Sequence, residues 1–180
     1  MIREFKGKKP KIVPSAFVSE AAYVIGDVEI GEKANVWPGA VIRADFHRIT
    51  IGYESSLEDN CVVHVGSRPL IMGHHVIVGH GAVVHGHRLG NHILIGNNAT
   101  VLDNAEVGDF CIIGAGSLIT PGTIIPSYSM TTGVPAEIKC RVSEEQIKWI
   151  EWQLNHRPRK CLGYRTPAEV FDKLCGALAA

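Results

Sequence analysis

The apolar positions of this chain repeat with a period of six. From Leu89 onward an aliphatic residue recurs at every sixth place: Leu89, Ile95, Val101, Val107, Ile113, Ile119 and Ile125. Glycine follows it at Gly90, Gly96, Gly108 and Gly114, and a small residue stands four places after it at Ala99, Ala105, Cys111, Ser117, Thr123 and Ser129. Earlier segments carry the same hexad: Ile30-Gly31 with Ala34, Val36 with Ala40, Ile51-Gly52 with Ser55, Leu57 with Cys61, and Val78-Gly79 with Ala82. One step, from Val84 to Leu89, spans five residues, a slip inside His85-Gly86-His87-Arg88. A period of six fits neither the 3.6 of an amphipathic helix nor the alternation of an ordinary strand. It fits a short strand plus a tight turn, three of which close one triangular coil of roughly 18 residues in a parallel β-solenoid. The aliphatic residue then points inward and the small residue fits where the coil narrows. Glycine is expected at the corner, where a positive φ is cheap only for that residue. Residues 12 to about 130 hold roughly seven such coils. A β-sandwich of short strands is the rival fold.

After Gly133-Val134-Pro135-Ala136 the pattern changes, which places a solenoid domain at 1–136 and a C-terminal helical segment at 137–180. Ser143-Glu144-Glu145-Gln146 reads as a capping box, with Ile147, Ile150 and Leu154 on one helical face. This helix is expected along the outside of the solenoid, ended or kinked at Pro158. A second short helix is expected from Thr166-Pro167 to about Leu174.

Composition narrows the function. The 180 residues are 46% hydrophobic and 20% charged, with Lys+Arg and Asp+Glu both at 18, so no bulk charge draws the chain to nucleic acid or an anionic membrane. No apolar run is long enough to span a bilayer. The start, Met1-Ile2-Arg3-Glu4-Phe5-Lys6, has no apolar signal region, so a cytoplasmic protein is expected. The five cysteines, Cys61, Cys111, Cys140, Cys161 and Cys175, form neither a disulfide framework nor a zinc cage.

The nine histidines are the candidate chemistry. His64, His80 and His85 form the central set, because neutral imidazole is the usual zinc ligand and a catalytic zinc takes three protein ligands and keeps one position open. His80 and His85 fall on neighbouring turns of one coil and His64 on the coil before. The spacing alone does not make them converge on one ion. Binding can be completed across a subunit interface, since a solenoid's flat faces suit symmetric trimers. Any one of the three also reads as a hydrogen-bonded corner residue. His74, His75 and His92 are expected to be exposed turn residues, and so is His87, whose alternative role is a proton shuttle.

The motifs that carry a resemblance are Ala40-Val41-Ile42-Arg43-Ala44-Asp45, Leu57-Glu58-Asp59-Asn60-Cys61-Val62-Val63-His64, Val78-Gly79-His80-Gly81-Ala82-Val83-Val84-His85-Gly86, Ile95-Gly96-Asn97-Asn98-Ala99-Thr100-Val101-Leu102-Asp103 and Gly133-Val134-Pro135-Ala136. Over roughly residues 10 to 150 the chain resembles the γ-class carbonic anhydrases, a branch of the left-handed parallel β-helix hexapeptide proteins. The resemblance implies a homotrimer that binds Zn2+, or Fe2+ or Co2+ in its place, through His64 and His85 of one chain and His80 of its neighbour. It implies reversible hydration of CO2 to bicarbonate by metal-bound hydroxide. Arg43 matches an arginine that pairs with an acid across the interface, and Asp45 and Asp59 match the acids of that network. That pairing would serve the trimer as much as the site. Glu58 is placed to accept a proton or orient the hydroxide.

The chain also departs from the family pattern. The usual Asn-x-Gln-Asp reads Ser56-Leu57-Glu58-Asp59, which puts a carboxylate beside the metal and removes an amide. Phe46 follows Asp45 where an acidic shuttle loop is found in the archetype, and His87 stands where cysteine is usual. A catalytically silent trimeric scaffold, a hexapeptide acyltransferase and a thioester hydrolase are the alternative readings. Residues 154–180 resemble the C-terminal end of insertion-sequence transposases, which implies a 3′ end replaced by mobile-element sequence. Arg157, Arg159, Lys160 and Arg165 are too few to argue for DNA binding.

Overall fold

The computed structural model describes residues 1–156. The expected helix near 166–174, the effect of Pro158 and nearly all of the transposase-like segment lie outside the described residues. The hexads close into a parallel β-solenoid of about 7 turns, the left-handed β-helix of hexapeptide-repeat proteins. Each coil has three faces. The first face stacks Val62–His64, Val83–Val84, Thr100–Val101 and Leu118–Ile119. The second stacks Leu70–Met72, Arg88–Leu89, Glu106–Val107 and Ile124–Ile125. The third runs from Phe17–Val18 through Asn35–Val36, Ser56–Leu57, Val76–Val78, Ile93–Ile95 and Cys111–Ile113 to Ser129–Gly133. Two long strands, Tyr23–Ile30 and Val41–Ile51, run round the edge between the first and second faces, so those faces form one twelve-stranded sheet against the eight strands of the third. We call the edge after the first face the first edge, the next the second, and the edge that returns to the first face the third.

The predicted aliphatic positions form the core: Leu89, Ile95, Val101, Val107, Ile113, Ile119 and Ile125 are all at most 2% exposed. They belong to one continuous column that starts at Ala22 and Val24 and includes the small residues Ala34, Ala40, Cys61, Ala82, Ala99, Ala105 and Cys111. Thr123 departs from the pattern and is only half-buried. Coil length varies where the site will be. Thr100 pairs with Leu118, 18 residues on, whereas Val83 pairs with Thr100 after 17, the five-residue slip. Val41 pairs with Val62, and Val62 with Val83, after 21. The additional residues bow outward at the first edge, around 44–48 and 65–69.

The reason for the hexad glycines differs from the expectation. Gly90, Gly96, Gly108 and Gly114 do not have positive φ. They are glycine because the next coil lies against them: a Cβ on Gly96 would stand 2.5 Å from the Ala115 backbone nitrogen, and one on Gly108 2.5 Å from that of Ser127. The left-handed position comes two residues later. There it is filled by Asn98, Phe110 and His92 as readily as by Gly116.

Beyond the last coil, Ala136–Arg141 folds back antiparallel on Ser129–Gly133, a strand that the six-residue pattern does not announce. The helix α1, Glu144–Asn155, then starts as expected. Ser143 Oγ accepts from the Gln146 backbone N–H, and the Ser143 N–H donates to Gln146 Oε1. Its Ile147 is buried with Ile112 and Val142, with Ile150, Leu94 and Met130 packed around them, so α1 covers the third face. Among the described residues no helix is long and apolar enough to cross a membrane.

The described cysteines differ in reactivity. Burial pushes the Cys61 thiol up to about 12, with Glu58 and Asp59 adding to it, and burial raises Cys111 as well; Cys140 is exposed. A thiolate is the nucleophile. Among these three, iodoacetamide at neutral pH is therefore expected to label Cys140 within minutes and leave Cys61 and Cys111 untouched until denaturant is added. Peptide mass mapping reads this, and rapid native labelling of Cys61 would contradict the burial.

Candidate metal centre

The candidate site residues divide between two edges of the first face. At the first edge, the strand Val62–His64 carries His64 outward beside Val63, which points inward. The next coil carries His85 one residue past Val84. Their rings lie 4.6 Å apart, and His64 Nδ1 faces His85 Nε2 at 2.7 Å. His64 Nε2 lies 2.8 Å from Asp45 Oδ1. Arg43 approaches His64 Nδ1 at 3.3 Å and donates to Asp45 Oδ2 at 2.5 Å. A guanidinium can only donate, so Nδ1 is the lone-pair nitrogen of His64 and Nε2–H donates to Asp45. Register explains the cluster: Arg43 and His64 are paired residues of adjacent coils, and Asp45 follows on the outward bow of the same strand.

At the third edge, His80 meets Glu58 and Asp59 from the coil before. His80 Nδ1 is 3.1 Å from Asp59 Oδ2, and Nε2 is 3.6 Å from Glu58 Oε2. Glu58 is buried and accepts from Ser56 Oγ at 2.9 Å. Asn35, the register partner of Ser56, lies 2.5 Å from that hydroxyl and accepts from Trp37 Nε1 at 2.6 Å. Asn35 thus stands behind Ser56 from one coil earlier, a neighbour invisible to a reading of the local motif.

Within one chain, then, His64 and His85 come together with Arg43 and Asp45, while His80 stands apart with Glu58 and Asp59. The donor chemistry fits a divalent ion. Each of the three histidines has a carboxylate behind one ring nitrogen, Asp45, Asp59 or Asp103, which leaves the other nitrogen as the ligand. Outer carboxylates of this kind orient ligating imidazoles. Asp103 was not among the residues singled out from the sequence. Its Oδ1 lies 2.9 Å from His85 Nδ1, off the hydrogen-bonding line. The resemblance motif reaches Asp103, but only the register of the 17-residue coil, which pairs Val84 with Val101, brings it beside His85.

Electrostatics favour the ligating forms. Burial lowers the His64 pKa, and Arg43 and His85 add to this against the opposing hydrogen bond and charge of Asp45, so the ring is neutral at neutral pH. Burial raises the Asp45 pKa, but the His64 hydrogen bond, its own backbone and the Arg43 charge outweigh it and hold the carboxyl below its usual value. Phe46 is largely exposed beside this cluster, its ring 6.2 Å from that of His64.

Comparison with known proteins agrees with the fold and adds chemistry. Residues 86–121 match the family described as bacterial transferase hexapeptide (six repeats). The chain is 44% identical over 135 residues to a "Probable carbonic anhydrase" of Methanocaldococcus jannaschii, covering 74% of this chain and 85% of that protein. It is 36% identical over 150 residues to the mitochondrial gamma carbonic anhydrase 2 of Arabidopsis thaliana, covering 79% of this chain and 54% of the plant protein. A solved hexapeptide transferase family protein from Anaplasma phagocytophilum superposes with a TM-score of 0.81 at 30% identity, over 98% of this chain and 96% of that one.

Proposed function

We propose, for a chain that belongs to the γ carbonic anhydrase family of hexapeptide-repeat proteins, that it hydrates CO2 reversibly to bicarbonate at a metal ion held between the subunits of a homotrimer. The observation that carries this reading is the division of the histidines between the two edges of one face. His64 and His85 present two ligand nitrogens at the first edge, and His80 presents one at the third. In a cyclic trimer the first edge of one subunit meets the third edge of the next, and the set of three is complete.

The face between those edges supports the same assembly. Its outward column, Val41, Val62, Val83, Thr100 and Leu118, is uncharged. The second face carries Arg88 and Glu106 outward, and the third lies under α1. Among the described residues this column is uncharged and α1 does not lie over it, with Arg43 standing at its first edge beside His64, which suits the core of an interface.

His64, His85 and His80 of the partner subunit would hold the ion, zinc by the donor set, with iron or cobalt able to replace it. When bound it would lower the pKa of a water molecule to about 7, which supplies hydroxide at neutral pH. The chain's own groups do the rest. Asp45 orients the His64 imidazole through its hydrogen bond, and Asp59 and Asp103 stand beside those of His80 and His85. Arg43 holds Asp45 ionised. Glu58, which receives the Ser56 proton in a hydrogen bond and stands beside His80 Nε2, is the carboxylate placed to accept a proton during turnover.

Stopped-flow CO2 hydration on protein loaded with zinc, or with iron under anaerobic conditions, tests the reading. Chelator-sensitive turnover above buffer is expected; full metal loading without turnover would leave a metal-stabilised scaffold. A hexapeptide acyltransferase is the second reading, favoured by the transferase family match over 86–121. It requires saturable acetyl-CoA binding, which isothermal titration calorimetry is expected not to find. Asp45→Asn is expected to weaken zinc binding by about 10–100-fold, the usual effect of losing a carboxylate behind a ligating histidine. Competition with a chromogenic chelator measures this, and wild-type affinity would contradict the role.

A further inference from the structure

The second edge carries a side-chain group that the carbonic anhydrase reading does not use. The left-handed corner position of six successive coils is filled by Lys33, Glu54, His75, His92, Phe110 and Tyr128, with φ of 53, 52, 53, 54, 55 and 63°. Lys33 Nζ is 3.3 Å from Glu54 Oε1, and Glu54 Oε2 is 3.4 Å from His75 Nδ1. The rings of His75 and His92 then stack at 4.6 Å and 11°, those of His92 and Phe110 at 4.7 Å and 6°, and those of Phe110 and Tyr128 at 5.1 Å and 7°. His74 stands edge-on to both His75 and His92, at 5.2 and 5.1 Å, and stacks on Tyr53 at 4.7 Å. All three histidines are half-buried, not the exposed turn residues expected from the sequence.

Stacking alone does not call for imidazole. Phe110 and Tyr128 fill the same place in the following coils, and Asn60 and Asn98 fill its counterpart at the third edge. Three histidines nevertheless lie together here, one ring nitrogen from each within 4.8 Å of the others, and a shared ion requires only that His75 or His92 turn out of their stack to bring the in-plane lone pairs together. The His74 Nδ1 atom is buried and has no hydrogen-bond partner among the described residues, a cost that an unused polar atom does not ordinarily carry. Glu54 stands behind His75 as a carboxylate stands behind a ligating histidine.

We propose that His74, His75 and His92 bind a second divalent transition-metal ion at the second edge, away from the two edges that carry His64, His85 and His80. An all-imidazole donor set selects zinc, nickel or copper(II) over magnesium or calcium. Water completes the coordination. The ion ties the coil of His74 and His75 to the coil of His92 and stabilises the fold by binding it in preference to the unfolded chain.

Equilibrium dialysis of the full chain against zinc alone, with bound metal counted by mass spectrometry, tests the site. The double variant His75→Asn/His92→Asn keeps the left-handed corners, because asparagine already occupies that conformation at Asn60 and Asn98. It is expected to bind one zinc fewer per chain than the wild type, while its CO2 hydration is unchanged. A second variant, His74→Ala, lies outside the left-handed position and is expected to lose the same ion, which covers the case of a double variant that does not fold. Equal zinc content in the wild type and a folded variant would overturn the proposal. So would loss of the ion together with carbonic anhydrase activity, since the two sites would then be one.

Discussion

Replacing His85 with alanine removes the ion of the proposed His64, His85 and His80 centre and CO2 hydration together. His85 presents Nε2 toward His64 Nδ1 at 2.7 Å, so the substitution takes away one of the two ligands that a single chain contributes. The one remaining at that edge, His64, is already engaged by Arg43 at 3.3 Å on the same nitrogen. Without a second imidazole the guanidinium keeps it. The expected fall in kcat/KM is on the order of a thousandfold or more, the scale on which removing one member of a catalytic unit acts. Metal content and stopped-flow rates on the same preparation measure it, with circular dichroism to show that the solenoid persists. Folding should persist, because His85 lies outside the buried aliphatic column. Full activity in a His85→Ala protein would remove the mechanism.

Replacing Gly96 with alanine unfolds the solenoid at a much lower temperature. Gly96 does not have positive φ, and at such a site alanine ordinarily stabilises by about 0.4–1 kcal/mol through the unfolded state. Here the sign reverses. The new Cβ would stand 2.5 Å from Ala115 N and 2.8 Å from Ala115 Cα, both backbone atoms of the next coil. No side-chain rotation relieves that contact, so two coils must part along a column packed on both sides. The expected loss is about 3 kcal/mol, the upper end for overpacking a filled core. Asn98→Gly, two residues on at the left-handed position, is expected to change stability by less than about 1 kcal/mol. Thermal melts of the two variants separate close approach from backbone conformation as the reason for the hexad glycine. A Gly96→Ala protein as stable as the wild type would return that reason to the corner conformation.

The fold was legible because a six-residue period encodes which side chains point inward, and Leu89 through Ile125 obey it at every step. Contacts between coils were not legible to the same degree. They join residues 17, 18 or 21 apart, and the spacing depends on where the chain bows out. Asp103 beside His85, and Asn35 beside Ser56, are neighbours of that kind. The histidines of the second edge were read as exposed turns for the same reason: His74 and His75 look like turn residues until His92, Tyr53 and Phe110 stack upon them from adjacent coils. The strand Ala136–Arg141 escaped the six-residue pattern because it lies past the last hexad: Ala136, Ile138 and Cys140 alternate with Glu137, Lys139 and Arg141, a period of two, and all but Ala136 stay exposed. At the candidate centre, sequence gave the residue types and the resemblance gave their grouping. The distances set His80 with Glu58 and Asp59 at a different edge from His64 and His85, which is why the proposed grouping draws on two chains.

The proposed division of a metal centre between subunits is tested most directly by mixing two variants, each expected to be inactive alone. His80→Ala chains keep His64 and His85, and His85→Ala chains keep His80. Refolded separately, each is expected to show no CO2 hydration above buffer. Refolded together in equal amounts with zinc, they form mixed trimers in which about one interface in four joins two intact halves, and about a quarter of wild-type activity is expected. A mixture as inactive as its components, with trimers formed and zinc present, would contradict a site shared between chains.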